Sequence, residues 1–434
     1  METILIRAAQ LLVSLSILVI VHEFGHFILA KLFKVRVEKF YLFFNPWFSL
    51  FKYKPQNSET EYGVGWVPLG GYVKISGMMD ESMDKEALAK PPQPWEFRTK
   101  PAWQRLLIMV GGVIMNFIFA FFIYSMIVMN WGESYIPIDK TPLYFSDVAH
   151  QAGFEDGDIL LTADGKRLTQ YDNLDIFRVI SAKNVTVLRS GQEQTISLPK
   201  DFETQFLAAK APFADFQSTT VDSLMQGGNA ETAGLKVGDE ILSVNGINTV
   251  AYSSFGNALS KNKDSDVQIG ILRGDEKLTL TVRVGADGKI GFYRHVNDVS
   301  VTIKYNFFQS FPAGIARGVR EMYSYVLQLR LIFSKVGIQS VGGFGAIGSL
   351  FPPQWSWPVF WNMTAFLSII LGVMNLLPIP ALDGGHVMFL LYEVVSGRKP
   401  NDKFMEYAQI AGMAFLLLLI LYANGNDVLR FFKK

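Results

Sequence analysis

Apolar residues gather into four long runs, near residues 6–30, 106–130, 359–392 and 405–423, separated by mixed polar sequence. A bilayer core ~30 Å thick takes about 20 apolar helical residues to cross, so each run is long enough to span. The first run has one feature of a signal peptide, since Arg7 precedes it. It continues, however, through His22, Glu23 and His26 into Phe27-Ile28-Leu29-Ala30 without a small-residue cleavage site, and reads as a retained span. Between the second and third runs lie about 220 residues rich in Asp, Gly, Thr and alternating Val/Ile, the pattern of short strands and turns. Residues 31–105 form a second extramembrane segment.

Composition and charge sharpen this picture. Only 18% of the 434 residues are charged, below the roughly 25% of a soluble globular protein, and half are apolar. A net charge of +1 excludes the basic excess of a nucleic-acid binder. With no Cys there is no disulfide framework or thiolate metal site, so a transition metal must be held by His, Asp or Glu. Basic residues crowd the first loop, from Lys31 and Lys34 through Lys85 and Lys90 to Arg105, whereas Arg7 alone precedes the first span. Positive residues favour the cytoplasmic side, which orients the N-terminus outward. Arg398, Lys399 and Lys403 agree with that orientation, and Arg430, Lys433 and Lys434 oppose it.

The first span carries His22-Glu23-Phe24-Gly25-His26, an H-E-x-x-H motif. Helical residues four apart share a face, so both imidazoles reach one zinc, with Glu23 beside them as a general base for water that the metal acidifies. A carboxylate in a spanning helix costs about 2.5–3.5 kcal/mol on insertion scales, which structure alone seldom requires. Two His leave the metal needing a third protein ligand. The best candidate is Asp383 in Leu382-Asp383-Gly384-Gly385, with His386 as a rival; His150 and His295 fall in the soluble middle. Pro378 and Pro380 interrupt the helix just before Asp383, and broken helices at membrane depth are tolerated where they line a cavity. The alternative for Asp-Gly-Gly is an ordinary turn.

The middle region is duplicated. Gly157-Asp158-Ile159-Leu160-Leu161-Thr162-Ala163-Asp164-Gly165 aligns without gaps on Gly238-Asp239-Glu240-Ile241-Leu242-Ser243-Val244-Asn245-Gly246, and Ala152-Gly153 and Ala233-Gly234 precede them at one offset. Asp-Gly and Asn-Gly are hairpin-turn pairs closing each strand. The pattern resembles a PDZ domain, so two PDZ-like modules in tandem are expected, serving either as a size filter over the site or as peptide binders by strand addition.

A transmembrane H-E-F-G-H, a distant L-D-G after a broken helix, and tandem modules between them resemble the site-2 protease family of intramembrane zinc metalloproteases, in its bacterial RseP-type branch. The resemblance covers essentially the whole chain. It implies a bound Zn2+ with His22, His26 and Asp383 as ligands and Glu23 as catalytic base. It also implies cleavage of single-pass transmembrane substrates, often anti-sigma factors, after an upstream site-1-type protease has trimmed them. Asn375 matches a family Asn that helps to hold the substrate strand, its alternative being a helix–helix hydrogen bond. A second family Asn is here Ile370. Gly111-Gly112-Val113-Ile114-Met115-Asn116 resembles a second-span G-x-x-x-N element, read as close helix packing. The segment Tyr62 to Lys74 resembles the family's membrane-associated β-loop, a short hairpin whose Gly70, Gly71, Tyr72 and Val73 would pair with an unwound substrate; a plain Gly-rich surface hairpin is the alternative.

The expected fold class is therefore an α-helical membrane protein with four transmembrane helices, a membrane-associated β-hairpin and two inserted PDZ-like α+β domains. The expected segments are a first span with the motif (1–32), a cytoplasmic segment with the β-loop (33–104), a second span (105–132), two modules (133–216 and 217–304), an interfacial helix and linker (305–357), the broken third span (358–394) and a fourth (404–424). The interfacial helix, over 306–340 with Arg317, Arg320 and Arg330 on a polar side, has packing against the second module as its alternative. The expected home is the bacterial inner membrane, with N-terminus and modules on the periplasmic side. A silent scaffold with structural zinc needs no Glu23, and a zinc transporter needs neither modules nor a β-loop.

Overall fold

The computed structural model describes residues 2–432 except 69, 79–90, 210–211, 218, 250–251, 295–298 and 331–341. Leu69 of the expected hairpin, Lys85 and Lys90 of the basic loop, His295, Lys433, Lys434 and residues 331–340 of the expected interfacial helix lie outside the described residues. The chain forms two units, one made of residues 1–133 with 304–434 and the other of residues 134–303.

Four helices of the first unit are long and apolar enough to cross a membrane, over Thr3–Leu32, Ala102–Trp131, Trp357–Leu376 and Lys403–Leu429. Helix α1 (Glu2–Leu32) carries exposed Ile4, Leu5, Ile20 and Ile28, an outward apolar surface suited to lipid rather than water. Helix α2 (Ala102–Trp131) is the hub of this unit. It crosses α1 at Gly25 and Gly111, where a Cβ on Gly25 would fall on the carbonyl oxygen of Gly111. Only glycine lets the two backbones come that close.

Between α1 and α2 lies a four-stranded sheet of β1 (Val37–Leu42), β2 (Phe51–Tyr53), β3 (Glu61–Val64) and β4 (Tyr72–Ile75), in the order β2-β3-β1-β4. The sequence reading makes β3 and β4 the two arms of a hairpin. They do not pair: β1 lies between them, parallel to β3 and antiparallel to β4, with Phe40 opposite Val73 and Tyr41 opposite Tyr72. The link between them is drawn across the end of β1 by bonds from Gly65 N–H to Leu42 O (2.8 Å) and from Val67 N–H to Phe44 O (3.1 Å). Pro68 cannot donate to a tight-turn ladder, and Tyr41 fills the space that a side chain at position 63 would need. Strand β4 is left at the edge.

Helix α3 (Phe307–Leu329) starts with a capping box between Asn306 and Gln309. Its small residues Ser310, Gly314 and Gly318 are buried, and a Cβ on Gly314 or Gly318 would meet Ser125 or Phe121 of α2. The small-residue face of this helix is thus its packing face on α2. Arg317 is turned inward to Asn362 (2.7 Å) and over the Tyr124 ring, while Phe308, Ile315, Val319 and Val326 face outward. A partly buried guanidinium with a partner on a spanning helix and an outward apolar stripe suit a helix laid against a membrane bundle.

Helix α4 (Phe344–Ser349) contacts α1 and the last helix, and α5 (Trp357–Leu376) ends at Leu377, whose N–H bonds to Met374 O. Pro378 and Pro380 then hold the chain out of helix until α6 (Asp383–Ser396) begins. Three glycines grip this break. A Cβ on Gly384 would fall on Leu377 O, one on Gly385 would sit 2.6 Å from Pro380 Cα, and one on Gly412 of α7 (Asp402–Phe432) would fall on Pro380 O.

The second unit repeats one topology. Strands 159–163, 166–167, 184–189 and 192–197 form a sheet with the same strand order as 240–244, 247–248, 266–273 and 276–283. Each module buries its own apolar core, around Leu160 and Phe154 in one and Ile241 and Phe255 in the other. The match extends to atoms. Asp158 takes Arg189 in a two-pronged bond (2.8 and 2.7 Å), as Asp239 takes Arg273 (2.7 and 2.7 Å), and each Arg also donates to Gly153 O or Gly234 O at 2.9 Å. Burial pushes the Asp239 carboxyl up, but the bonds from Arg273 and the Lys236 N–H outweigh it and hold it below its ordinary value. Asp164-Gly165 and Asn245-Gly246 all have positive φ, as the hairpin-turn pairs require.

Candidate active site

His22 and His26 lie one turn apart on α1, both buried, with their Nε2 atoms 3.2 Å from each other. Asp383 is the first residue of α6, where the helix dipole favours a carboxylate. Its Oδ2 stands 3.1 Å from His22 Nε2 and 3.4 Å from His26 Nε2, and it is buried without a hydrogen-bond partner. Among the described residues this is the group of His, Cys, Asp and Glu donors able to hold a metal ion. The break after α5 accounts for the meeting: a continuous helix through 377–382 would carry Asp383 away along its axis, whereas the glycine-gripped loop folds the start of α6 back to α1.

Two imidazole nitrogens and one carboxylate oxygen converging on one point are a donor set suited to zinc with an open position. The ring of His26 is oriented from behind by Nδ1–H donation to the Ile108 carbonyl of α2 (2.8 Å), as ligating imidazoles require. His22 Nδ1 faces the Asn116 amide, also on α2, at 3.1 Å. Gly112 makes the room: a Cβ there would sit 2.5 Å from His26 Nε2 and 2.6 Å from His22 Cε1.

A cavity of about 570 Å³ opens beside the cluster and is lined by Glu23, the stretch from Gly70 to Val73, Asn375 and His386 as well as the three donors. The Glu23 carboxylate faces the backbone N–H of Val73 on β4. Asn375 Nδ2 on α5 is 3.4 Å from His22 Nε2 on α1, a contact between two helices at the wall of this cavity. His386 lines the cavity but stands outside the converging group. His150 belongs to the other unit, and Ile370 packs into the cluster around Leu18 and Phe360. Asn116 is the residue whose part the sequence reading missed. Its motif pointed to packing, and its partner lies 94 positions away.

Comparison with known proteins bears on the whole of this arrangement. The model of peptidase family M50 matches residues 10–419. A protein of Vibrio cholerae named for zinc metalloprotease activity is 29% identical over 99% of this chain and 100% of its own length. The regulator of sigma E protease of Haemophilus influenzae is 26% identical over 96% and 98%, and the protease RseP of Yersinia pestis is 28% identical over 99% and 100%. A match that spans from the H-E-x-x-H helix past Asp383 places the chain: it belongs to peptidase family M50, the site-2 proteases, and is a zinc metalloprotease.

Proposed function

We propose that this protease cuts single-pass transmembrane proteins inside the bacterial inner membrane, as part of sigma E regulation, with His22, His26 and Asp383 holding zinc and Glu23 as general base. The observation that carries the reading is the shared cavity. The donor set, Glu23 and the edge strand β4 all line it, and His22, Glu23 and His26 sit in an apolar helix long enough to span. At 1.5 Å per residue, His22 lies about 30 Å along α1 from Glu2 and about 15 Å from Leu32, well inside the span.

Zinc, when bound, polarises water and the scissile carbonyl. The remaining work belongs to the chain. A helical substrate hides its carbonyls in i→i−4 bonds, and the free edge of β4 offers Tyr72 to Ile75 as a template for the unwound segment. That places the substrate backbone beside Val73, the residue whose N–H faces Glu23. Glu23 takes the proton from the attacking water and delivers it to the departing amide nitrogen. The Asn375 amide, close to His22 Nε2, is positioned to donate to oxygen at the reacting carbonyl. Burial of His22 and His26 keeps bulk water from competing with these bonds.

The two repeated modules are proposed to be PDZ-like and to act as a size filter, rejecting substrates until an upstream site-1-type protease has removed their bulky outer domains. Support comes from their insertion between the second and third spans and from their separate packed cores. The orientation proposed is N-terminus and modules periplasmic, from the basic first loop.

The experiment is cleavage of trimmed and untrimmed single-pass substrates in liposomes by the full chain and by a chain with residues 140–300 replaced by a Gly/Ser linker. The trimmed substrate is expected to be cut within its span by both, and the untrimmed one by the shortened chain alone. A scission site outside the span contradicts intramembrane cleavage, and untrimmed substrate left intact by the shortened chain contradicts the filter.

A further inference from the structure

Asn116 is buried to 0% exposure in the middle of α2, in contact with neither solvent nor cavity. Its backbone carbonyl already accepts a bond from Ser368 Oγ on α5 (2.8 Å), so the α2–α5 seam is tied without the side chain. The side-chain amide points instead at the motif helix, with Nδ2 3.1 Å from His22 Nδ1 and Oδ1 buried and unpartnered. A buried unpaired amide oxygen costs about 1–3 kcal/mol, an arrangement a packing residue has no reason to keep.

Zinc ligation explains the placement. A neutral imidazole that gives its Nε2 lone pair to a metal carries its proton on Nδ1, which becomes a donor and needs an acceptor. His26 has one in the Ile108 carbonyl. For His22 the group at that place is the Asn116 amide. Its two ends have the same shape, and turning it over sets Oδ1 against the Nδ1–H. We infer that Asn116 is a positioning residue of the metal centre, accepting a hydrogen bond from His22 Nδ1–H and so fixing the tautomer and ring angle that present Nε2 to zinc. The inference rests on the proposed role of His22 as a ligand.

The test is zinc affinity of the full-length chain in detergent, by competition with a chelator, for wild type, Asn116→Leu and Asn116→Asp. Leucine keeps the volume and removes the acceptor; its zinc affinity is expected to fall about 10–100-fold, the usual cost of losing an outer partner of a ligating His. Aspartate is acceptor-only, so Asn116→Asp should stay within about threefold of wild type. The thermal midpoint with chelator present monitors the fold, and should move little while the zinc-induced rise shrinks for Leu alone. If Leu does not fold, Asn116→Ser replaces it, its hydroxyl being too short to reach His22, and the same loss is expected. Equal affinity in all variants, or Asp as weak as Leu, overturns the inference and leaves the ligand assignment standing. A wild-type chain that binds no zinc overturns both.

Discussion

Replacing Gly112 by Ala separates the metal site from the fold. The added Cβ would lie 2.5 Å from His26 Nε2, 2.6 Å from His22 Cε1 and 2.8 Å from His22 Nδ1, where ordinary contact begins near 3.4 Å. Some group must therefore move by about 0.9 Å, and metal–ligand distances tolerate only about ±0.2 Å. The displacement exceeds that tolerance several-fold at the donor atoms themselves. For the fold the balance is milder. Overpacking costs about 1–3 kcal/mol, and alanine in a helix returns up to about 1 kcal/mol relative to glycine, for a net loss near 0–2 kcal/mol. Gly112→Ala should thus remain folded and membrane-inserted while losing its zinc. Metal content by atomic absorption, read beside the thermal midpoint of the same preparation, checks both halves. A variant that carries one zinc per chain and cleaves at the wild-type rate would refute the reasoning, because the metal would then not sit where these rings converge.

Other consequences are as definite. Asp383→Ala should retain little zinc, and retention at the wild-type level would move the third ligand to His386, which lines the same cavity. Val73→Pro removes the N–H that faces Glu23 and distorts the edge of β4; cleavage should fall at least tenfold while zinc content holds, and full activity would exclude strand addition at β4. In the first repeated module, the bond to Asp156 lifts the His150 imidazole above its ordinary value despite partial burial. That contribution is complete below about pH 6.5 and is lost as pH rises through the folded value. Hydrogen exchange of residues 145–160 should accelerate over that rise, and His150→Gln should flatten the slope; an unchanged slope would assign it to another group.

The legible parts of this chain were those whose signal is local. The H-E-x-x-H spacing, the apolar runs and the in-register repeat around Asp158 and Asp239 each fit within a few turns or strands, and the hairpin-turn pairs needed only their own φ angles. Where the reading slipped, the deciding contact was distant. Arg317 looked like a solvent-facing charge because Asn362, its partner, is 45 positions away. The hairpin expected over 62–74 failed because β1, at 37–42, competes for both arms. The G-x-x-x-N spacing announces the close packing seen at Gly111 but carries no mark of the imidazole that Asn116 meets across the α1–α2 crossing. Asp383 was the favourable exception: Pro378 and Pro380 announce the broken helix, and an acid inside an apolar run announces a use for it.

The central claim is that Glu23 performs the chemistry at a zinc centre it does not hold. Its most direct test is Glu23→Gln in the full-length chain, with zinc content and cleavage of a single-pass substrate measured on one preparation. Gln keeps the shape but cannot accept a proton, so about one zinc per chain should remain while the rate falls on the order of 10²–10⁴ or more. Cleavage within tenfold of wild type, with zinc in place, would contradict the account.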